Sequence, residues 1–227
     1  MSSVAIVAES GRGKSSSYGQ IPEIGIKGLD PKETLVINVA GKDLPFRGWK
    51  KVYKGSISDG GNYLESSDSI TIAKAINYIS ENRSDIQNIV IDDAQYIMAF
   101  EFMKRAKESG YGKFADIGVN ISKVIEAAKV SRPTCYFLWH PEKDNIGNFK
   151  MKTVGKMVDD YLTLEGLFTV ILYADVVSNN DSKISYRFVT NNDGQYPAKS
   201  PVGMFKDLYI PNDLGMVKSI IDDYNNG

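Results

Sequence analysis

Two short stretches hold the residues whose types and spacing could do chemistry. The first is AESGRGKSSS (8–17), which follows directly on the apolar run 4–7. A short apolar run of this kind reads as a buried strand, and the loop after it has the composition of a phosphate cradle. Backbone N–H groups curled around a phosphate chain bind its oxygens, and Gly11 and Gly13 let the backbone come close because no Cβ stands in the way. Lys14 would reach the β- and γ-phosphates of a nucleotide and the Ser15 hydroxyl would hold Mg²⁺. The helix expected over 15–20, short because of Gly19 and Pro22, would turn its positive end to the same phosphates. The nucleotide-binding set is therefore Ala8, Glu9, Ser10, Gly11, Arg12, Gly13, Lys14, Ser15 and Ser16. Ala8 stands where the full G-x-x-x-x-G-K-[ST] pattern has its first glycine, a small departure that bears on the local turn. A Gly/Ser-rich turn with a solvated lysine is the plain alternative.

The second stretch is NIVIDD (88–93). Its apolar residues lead into two carboxylates, which places both acids at or just past the end of a buried strand. Asp92 would bind Mg²⁺ beside Ser15, and Asp93 would be free to orient or activate an attacking water. A strand ending in a charged turn looks the same when taken alone, but after a phosphate loop it supports nucleotide chemistry. The strand expected over 134–139, TCYFLW, ends in His140, the only histidine. A lone histidine at a strand end is more often structural than catalytic.

Further elements must position these groups. TLVINV (34–39) is a strand; 70–82 is a helix with Ile72, Ala73, Ile76 and Ile79 on one face and Ser67 or Asp68 as its cap. Helices are expected over 94–109, with Ile97, Phe100 and Met103 inward, and over 114–128, 154–162 and 213–224. The last carries Asp222 and Asp223 at its C-terminal end, unfavourable to the dipole, so fraying is expected there. Residues 144–152 read as a mobile loop whose Lys150 and Lys152, with Lys156, could meet phosphate, DNA or a neighbouring subunit. Strands over 168–174 and 183–189, with a turn at 178–182, form a hairpin. TNNDGQYPAKSP (190–201) is too rich in Asn, Gly and Pro to be regular, and its Lys199 is a candidate to reach a nucleotide in its own subunit or the next.

The stretch 41–55 interleaves Lys42, Arg47, Lys50, Lys51 and Lys54 with Phe46, Trp49 and Tyr53. Positive charge among aromatic faces suits single-stranded nucleic acid. The favoured reading is plainer: a solvated loop with Trp49 and Phe46 tucked against the body.

The totals bound these readings. The chain has 227 residues, enough for one domain over 1–227 with a substantial core. Its formal net charge of −1 gives no global argument for nucleic acid, so any such contact must be local. The single cysteine, Cys135, excludes an intrachain disulfide and sits in an apolar run, where it is expected to be buried and inert. No apolar run approaches the length of a membrane span and no signal peptide is evident, so a cytoplasmic location and no membrane partner are expected.

With these pieces in place the chain resembles phage-encoded RecA-like ATPases, and within them the Sak-type group found with single-strand annealing and recombination functions. The likeness covers most of the chain. It rests on AESGRGKSSS (8–17), IVIDDAQYIM (89–98), EFMKRAKESGYGKFADIG (101–118), YFLWHPE (136–142), KMVDDYLTLEGLFTVIL (156–172) and TNNDGQYPAKSP (190–201). The resemblance implies an α/β fold with a RecA-like P-loop NTPase core, its mostly parallel sheet flanked by helices and followed by a C-terminal β-hairpin. It implies ATP and Mg²⁺, single-stranded DNA, self-association with nucleotide near a subunit interface, and a phage annealing or single-strand-binding protein as companion in the bacterial host cytoplasm. The catalytic set is then Lys14, Asp93 and His140, the metal set Ser15 and Asp92. The resemblance implies that His140 senses a γ-phosphate, with Glu142 as a neighbour that could share the role. A basic residue from a neighbouring subunit, or Arg12 in cis, would complete the site. Two rivals stay open. One is a small-molecule kinase, against which the sparse later arginines (Arg105, Arg132, Arg187) count; the other is an ATP-dependent binding switch with little turnover.

Overall fold

The computed structural model describes residues 3–160, 162–178 and 184–227. Its strands are β1 (Ser3–Val7), β2 (Thr34–Asn38), β3 (Tyr63–Glu65), β4 (Asn88–Asp92), β5 (Thr134–Trp139), β6 (Pro141–Lys143), β7 (Phe149–Met151), β8 (Val170–Ser178), β9 (Ile184–Val189) and β10 (Tyr209–Pro211). The helices are α1 (Trp49–Val52), α2 (Ser69–Asn82), α3 (Tyr96–Lys104), α4 (Gly112–Val130), α5 (Lys156–Asp159) and α6 (Leu214–Asn226).

β1, β2 and β4 are buried along their length, with apolar centres, because both faces are covered, the usual condition of parallel strands. Alternate residues go to opposite cores. Ala5, Val7, Leu35, Ile37, Ile89, Ile91, Phe137 and Trp139 join α2, α3 and α4 on one face. Val4, Ile6, Val36, Val90, Tyr136 and Leu138 join α6 and the 18–53 segment on the other. The main sheet runs β10-β9-β8-β1-β5-β4-β2-β3. The pairings from β3 through β8 are parallel, and β8, β9 and β10 pair antiparallel. The fold is thus α/β with a mostly parallel central sheet, flanked by helices, with an antiparallel hairpin added toward the C-terminus. β5 lies between β1 and β4, so the glycine loop after β1, the acids after β4 and His140 after β5 open at one carboxyl edge of the sheet. That edge is where open α/β sheets hold their ligands.

Several elements differ from expectation. The helix expected at 15–20 is a single 3-10 turn, Ser15–Tyr18, stopped by Gly19, whose Cα lies too close to the Phe46 ring for a side chain. One turn carries little dipole, so attraction for an anion there rests on backbone N–H groups and Lys14. Of the two candidate caps, Asp68 caps α2, accepting from Thr71 N at 2.8 Å. α3 is shorter than 94–109, because Ala94 N–H is drawn to the Leu138 carbonyl at one end and Arg105 turns into an ion cluster with Glu101, Glu108 and Asp116 at the other. Met103, expected inward, is exposed on its last turn. The loop at 144–152 contains β7, which pairs with β6; Asp144 closes this hairpin by accepting from Ile146 N and Asn148 N, both at 2.9 Å. Lys150 is held there by Glu142 and Asp159, and Lys152 and Lys156 are exposed. The helix expected over 154–162 is the single turn α5. Most of the turn expected at 178–182, and Lys183 with it, lies outside the described residues. α6 reaches Asn226 despite its C-terminal acids, and a Lys218–Asp222 ion pair one turn apart offsets the dipole there. Cys135 is buried, and burial pushes its thiol up to about 12, so it is held as the inert thiol. No helix among the described residues is long and apolar enough to cross a membrane.

Candidate functional site

A cleft of about 370 Å³ opens at the carboxyl edge of the sheet, lined by Ser10, Gly11, Gly13, Lys14, Ser15 and Ser16 on one side and by Lys42, Asp93 and His140 on another. The loop forms because two glycines take left-handed backbone, φ +78° at Gly11 and +86° at Gly13. Ala8 needs no such freedom: among the described residues the one non-glycine in that region is Asp93, and Ala8 packs its Cβ into the core beside Val4 and Ile6. Its N–H donates to the Trp139 carbonyl at 3.1 Å, which extends the β1–β5 pairing by one residue. The departure from the glycine pattern is therefore accommodated without strain.

Lys14 is 5% exposed, and its ammonium donates to the carbonyls of Ala8 at 2.6 Å and Glu9 at 3.1 Å. Burial lowers its pKa to about 8, against the partial support of Asp93 and Asp92. The cation is thus poorly solvated and close to two carboxylates, a setting that an approaching polyanion would improve.

Behind the loop, Ser15 Oγ donates to Asp92 Oδ1 at 2.9 Å, and the buried Tyr18 hydroxyl donates to Asp92 Oδ2 at 2.9 Å. Burial and the neighbouring Asp93 charge push the Asp92 carboxyl up, and these two hydrogen bonds oppose them. Tyr18 is fixed by edge-on contacts with Phe46 and Tyr53. Those two rings, both buried, are therefore part of the support for Asp92 and not a stacking surface for bases. Of the three interleaved aromatics only Trp49 is partly open, with Lys50 over its ring at 5.2 Å.

Asp93 is buried with φ +60°. Its Oδ2 forms a close ion pair with Lys42 and its Oδ1 lies 3.2 Å from His140 Nε2, neither contact being aligned as a full hydrogen bond. Burial alone would raise its pKa, but His140 and Lys42 outweigh burial and hold it at about 2. Asp93 is accordingly not free, as its sequence position suggested, but clamped between β2's following loop and the end of β5.

The remaining expected residues are placed differently. Glu9 faces Arg12 at 3.0 Å, and Arg12 turns away from the cleft to the buried Asp175 at 3.3 Å. Lys199 is not brought to this cleft. Its backbone bridges Ile171 at 2.8 and 2.9 Å, level with Ala5 in the middle of the sheet, and its exposed side chain belongs to a different surface.

Three site residues escaped sequence reasoning: Lys42, Tyr18 and Asn212. Asn212 Nδ2 donates to the Gly13 carbonyl at 3.0 Å across 199 positions of chain. A Cβ on Gly13 would lie 2.3 Å from Asn212 Nδ2 and 2.9 Å from the Tyr186 ring. Gly13→Ala is therefore expected to lose about 3 kcal/mol, from left-handed backbone and overpacking together. That would lower Tm by roughly 6–12 °C. Gly11→Ala has nothing within 4 Å of its new Cβ and should lose only the backbone part, about 1 kcal/mol. Thermal unfolding of the two variants side by side measures the difference.

The donor set can be tested against a metal ion. Among the described residues no group of three or more His, Cys, Asp or Glu side chains could hold one unaided. Ser15 and Asp92 offer adjacent oxygens, which fits Mg²⁺ carried in with phosphates and water and fits poorly an all-protein cage. Comparison with protein-family models finds no match to this chain, and comparison with curated proteins finds none either.

Proposed function

We propose that this chain binds and hydrolyses ATP as a RecA-like P-loop ATPase and acts with single-stranded DNA as a homo-oligomer in recombination or annealing. The observation that carries the nucleotide part is the convergence, at one carboxyl edge, of a glycine loop with a buried lysine, a Ser15–Asp92 pair and a clamped second carboxylate. The DNA, oligomer and recombination parts follow from the sequence resemblance.

In this reading the loop N–H groups and Lys14 hold the β- and γ-phosphates, and Ser15 and Asp92 are the residues that would hold Mg²⁺. When bound, the ion would supply neutralisation of phosphate charge. Asp93, with a pKa near 2, is ionised at neutral pH and too weak a base to take a proton outright. Its role is to orient the attacking water by accepting a hydrogen bond. His140, touching the same carboxylate and lining the same cleft, couples that orientation to what lies at the phosphate end. Arg12 is tied to Glu9 and Asp175, which favours a neighbouring subunit as the source of any further cation.

Steady-state ATP hydrolysis across a titration of single-stranded DNA, with duplex DNA as control, tests the proposal. Several-fold stimulation by single strands alone is expected. Hydrolysis indifferent to DNA would remove the recombination reading and favour a kinase or a protein-directed switch.

A further inference from the structure

The cleft does not end with the glycine loop. Beyond Gly13 it runs onto Ile24, Ile26, Tyr186 and Asn212, and a second cleft of about 230 Å³ continues from these same four residues toward Ile184 and Pro211. Three large apolar side chains gather here on the open surface. Ile24 is 58% exposed, Tyr186 38% and Ile184 62%. On β9, Ile184, Tyr186 and Phe188 share one face by strand alternation, so the row leaves the buried core at Phe188 and emerges beside the loop at Tyr186. Among the described residues Tyr186 stacks on no other ring, though its edge lies against Gly13.

The shelf is also rigidly placed. Ile24 and Ile26 sit on a tight turn closed by the Ile21–Ile26 bridge, with Gly25 at φ +76°. Asp213 fastens the following residues, accepting from Lys27 N at 2.8 Å and Gly28 N at 3.0 Å. Next to it Asn212 is 3% exposed; its Nδ2 is engaged by the Gly13 carbonyl, and its Oδ1 is a buried acceptor with no partner. A buried acceptor left unpaired is costly, and a ligand group that donates to it is favoured.

The proposal that follows rests on the nucleotide reading above. Asp93 and His140 mark the end of the cleft where a terminal phosphate would react, so the opposite end receives the rest of the nucleotide. We infer that Ile24, Ile26 and Tyr186 form the seat of the nucleobase, with Asn212 Oδ1 selecting a base edge that carries an amino group, as adenine does and hypoxanthine does not. A planar base offers the apolar shelf two faces to cover, and stacking of this kind is worth about 1–3 kcal/mol per base.

Binding of three probes by calorimetry, with Mg²⁺ present, tests this on the intact chain: ATP, ITP and inorganic tripolyphosphate. ATP is expected to bind roughly ten- to a hundredfold more tightly than tripolyphosphate, the fold-change that the stacking magnitude implies, with ITP between them. Ile24→Ser, at an exposed turn where the fold is not at risk, and Tyr186→Ser should remove most of the ATP advantage, read as the ratio of ATP to tripolyphosphate affinity. The seat is overturned if ATP and tripolyphosphate bind equally, or if neither substitution alters their ratio. Equal affinity for ATP and ITP overturns the selection given to Asn212. Failure of the parent protein to bind any of the three would instead bring down the nucleotide reading itself, and the seat with it.

Discussion

Lys14→Ala is expected to weaken ATP binding by about a hundredfold or more, since on the proposed reading the loop loses the cation that meets the β- and γ-phosphates through charge-assisted hydrogen bonds. The same substitution should hardly change stability. Burial lowers the Lys14 pKa to about 8, so at neutral pH the folded protein carries this charge at a cost that the unfolded chain does not bear. Removing it relieves that cost and, in opposition, leaves the Ala8 and Glu9 carbonyls without their donor. These effects offset each other, and a net change of about 1 kcal/mol or less is expected. The pH dependence gives a second readout. Below pH 8 the free protein holds Lys14 protonated and ready for phosphate; above it the amine is increasingly neutral, and binding must first draw a proton. ATP affinity of the parent should therefore fall as pH rises through about 8, and the alanine variant should show no such fall. Calorimetric titration of both proteins from neutral to alkaline pH decides the matter. Unchanged ATP affinity in the variant would remove the phosphate-loop assignment.

Asp93→Asn is expected to keep nucleotide binding and to lower hydrolysis by roughly a hundredfold, the scale associated with misplacing a reacting group that a hydrogen bond had oriented. The backbone should tolerate it. Asparagine is among the few residues that accept left-handed φ, and Asp93 lies at φ +60°. The fold does lose stability, because a buried carboxyl whose pKa is held at about 2 contributes roughly 2 kcal/mol at neutral pH that a neutral side chain forgoes; the half-exposed Lys42, which can return its ammonium to water, limits the loss. What is lost is the negative charge between Lys42 and His140 and, on the proposed reading, the orientation of a water at the terminal phosphate. Single-turnover hydrolysis beside equilibrium binding separates these effects. If binding of Mg²⁺-ATP collapses and the chemical step is spared, the roles of Asp92 and Asp93 are the reverse of those assigned.

β1, β2, β4, β5 and β8 were legible in the sequence because each is a short apolar run bounded by polar or turn residues, and β9 was legible as the return strand of a hairpin; β3 and β10, three residues each, were not. Local pattern also sufficed for the cap of α2, which it narrowed to Ser67 or Asp68, for the glycine loop and for the Asp92–Asp93 pair, whose residues are adjacent in the chain. Lengths were less legible. The turn at 15–18 and the end of α3 are decided by contacts with Phe46, Leu138 and Asp116, which lie elsewhere in the sequence. The hairpin of β6 and β7 was hidden because its strands are three residues each, too short for any periodicity to mark them.

Sequence by itself determined which residues could cradle a phosphate and which carboxylates close a strand, since that chemistry depends on residue type and spacing along one loop. Only the tertiary structure decided which partners those groups have. Tyr18 on Asp92, Lys42 and His140 on Asp93, Asn212 on Gly13 and the turning away of Arg12 and Lys199 all depend on the order of strands in the sheet. The physical reason is that strand order is set by packing of apolar faces between two layers, and β5 placed between β1 and β4 brings together side chains that no local pattern connects.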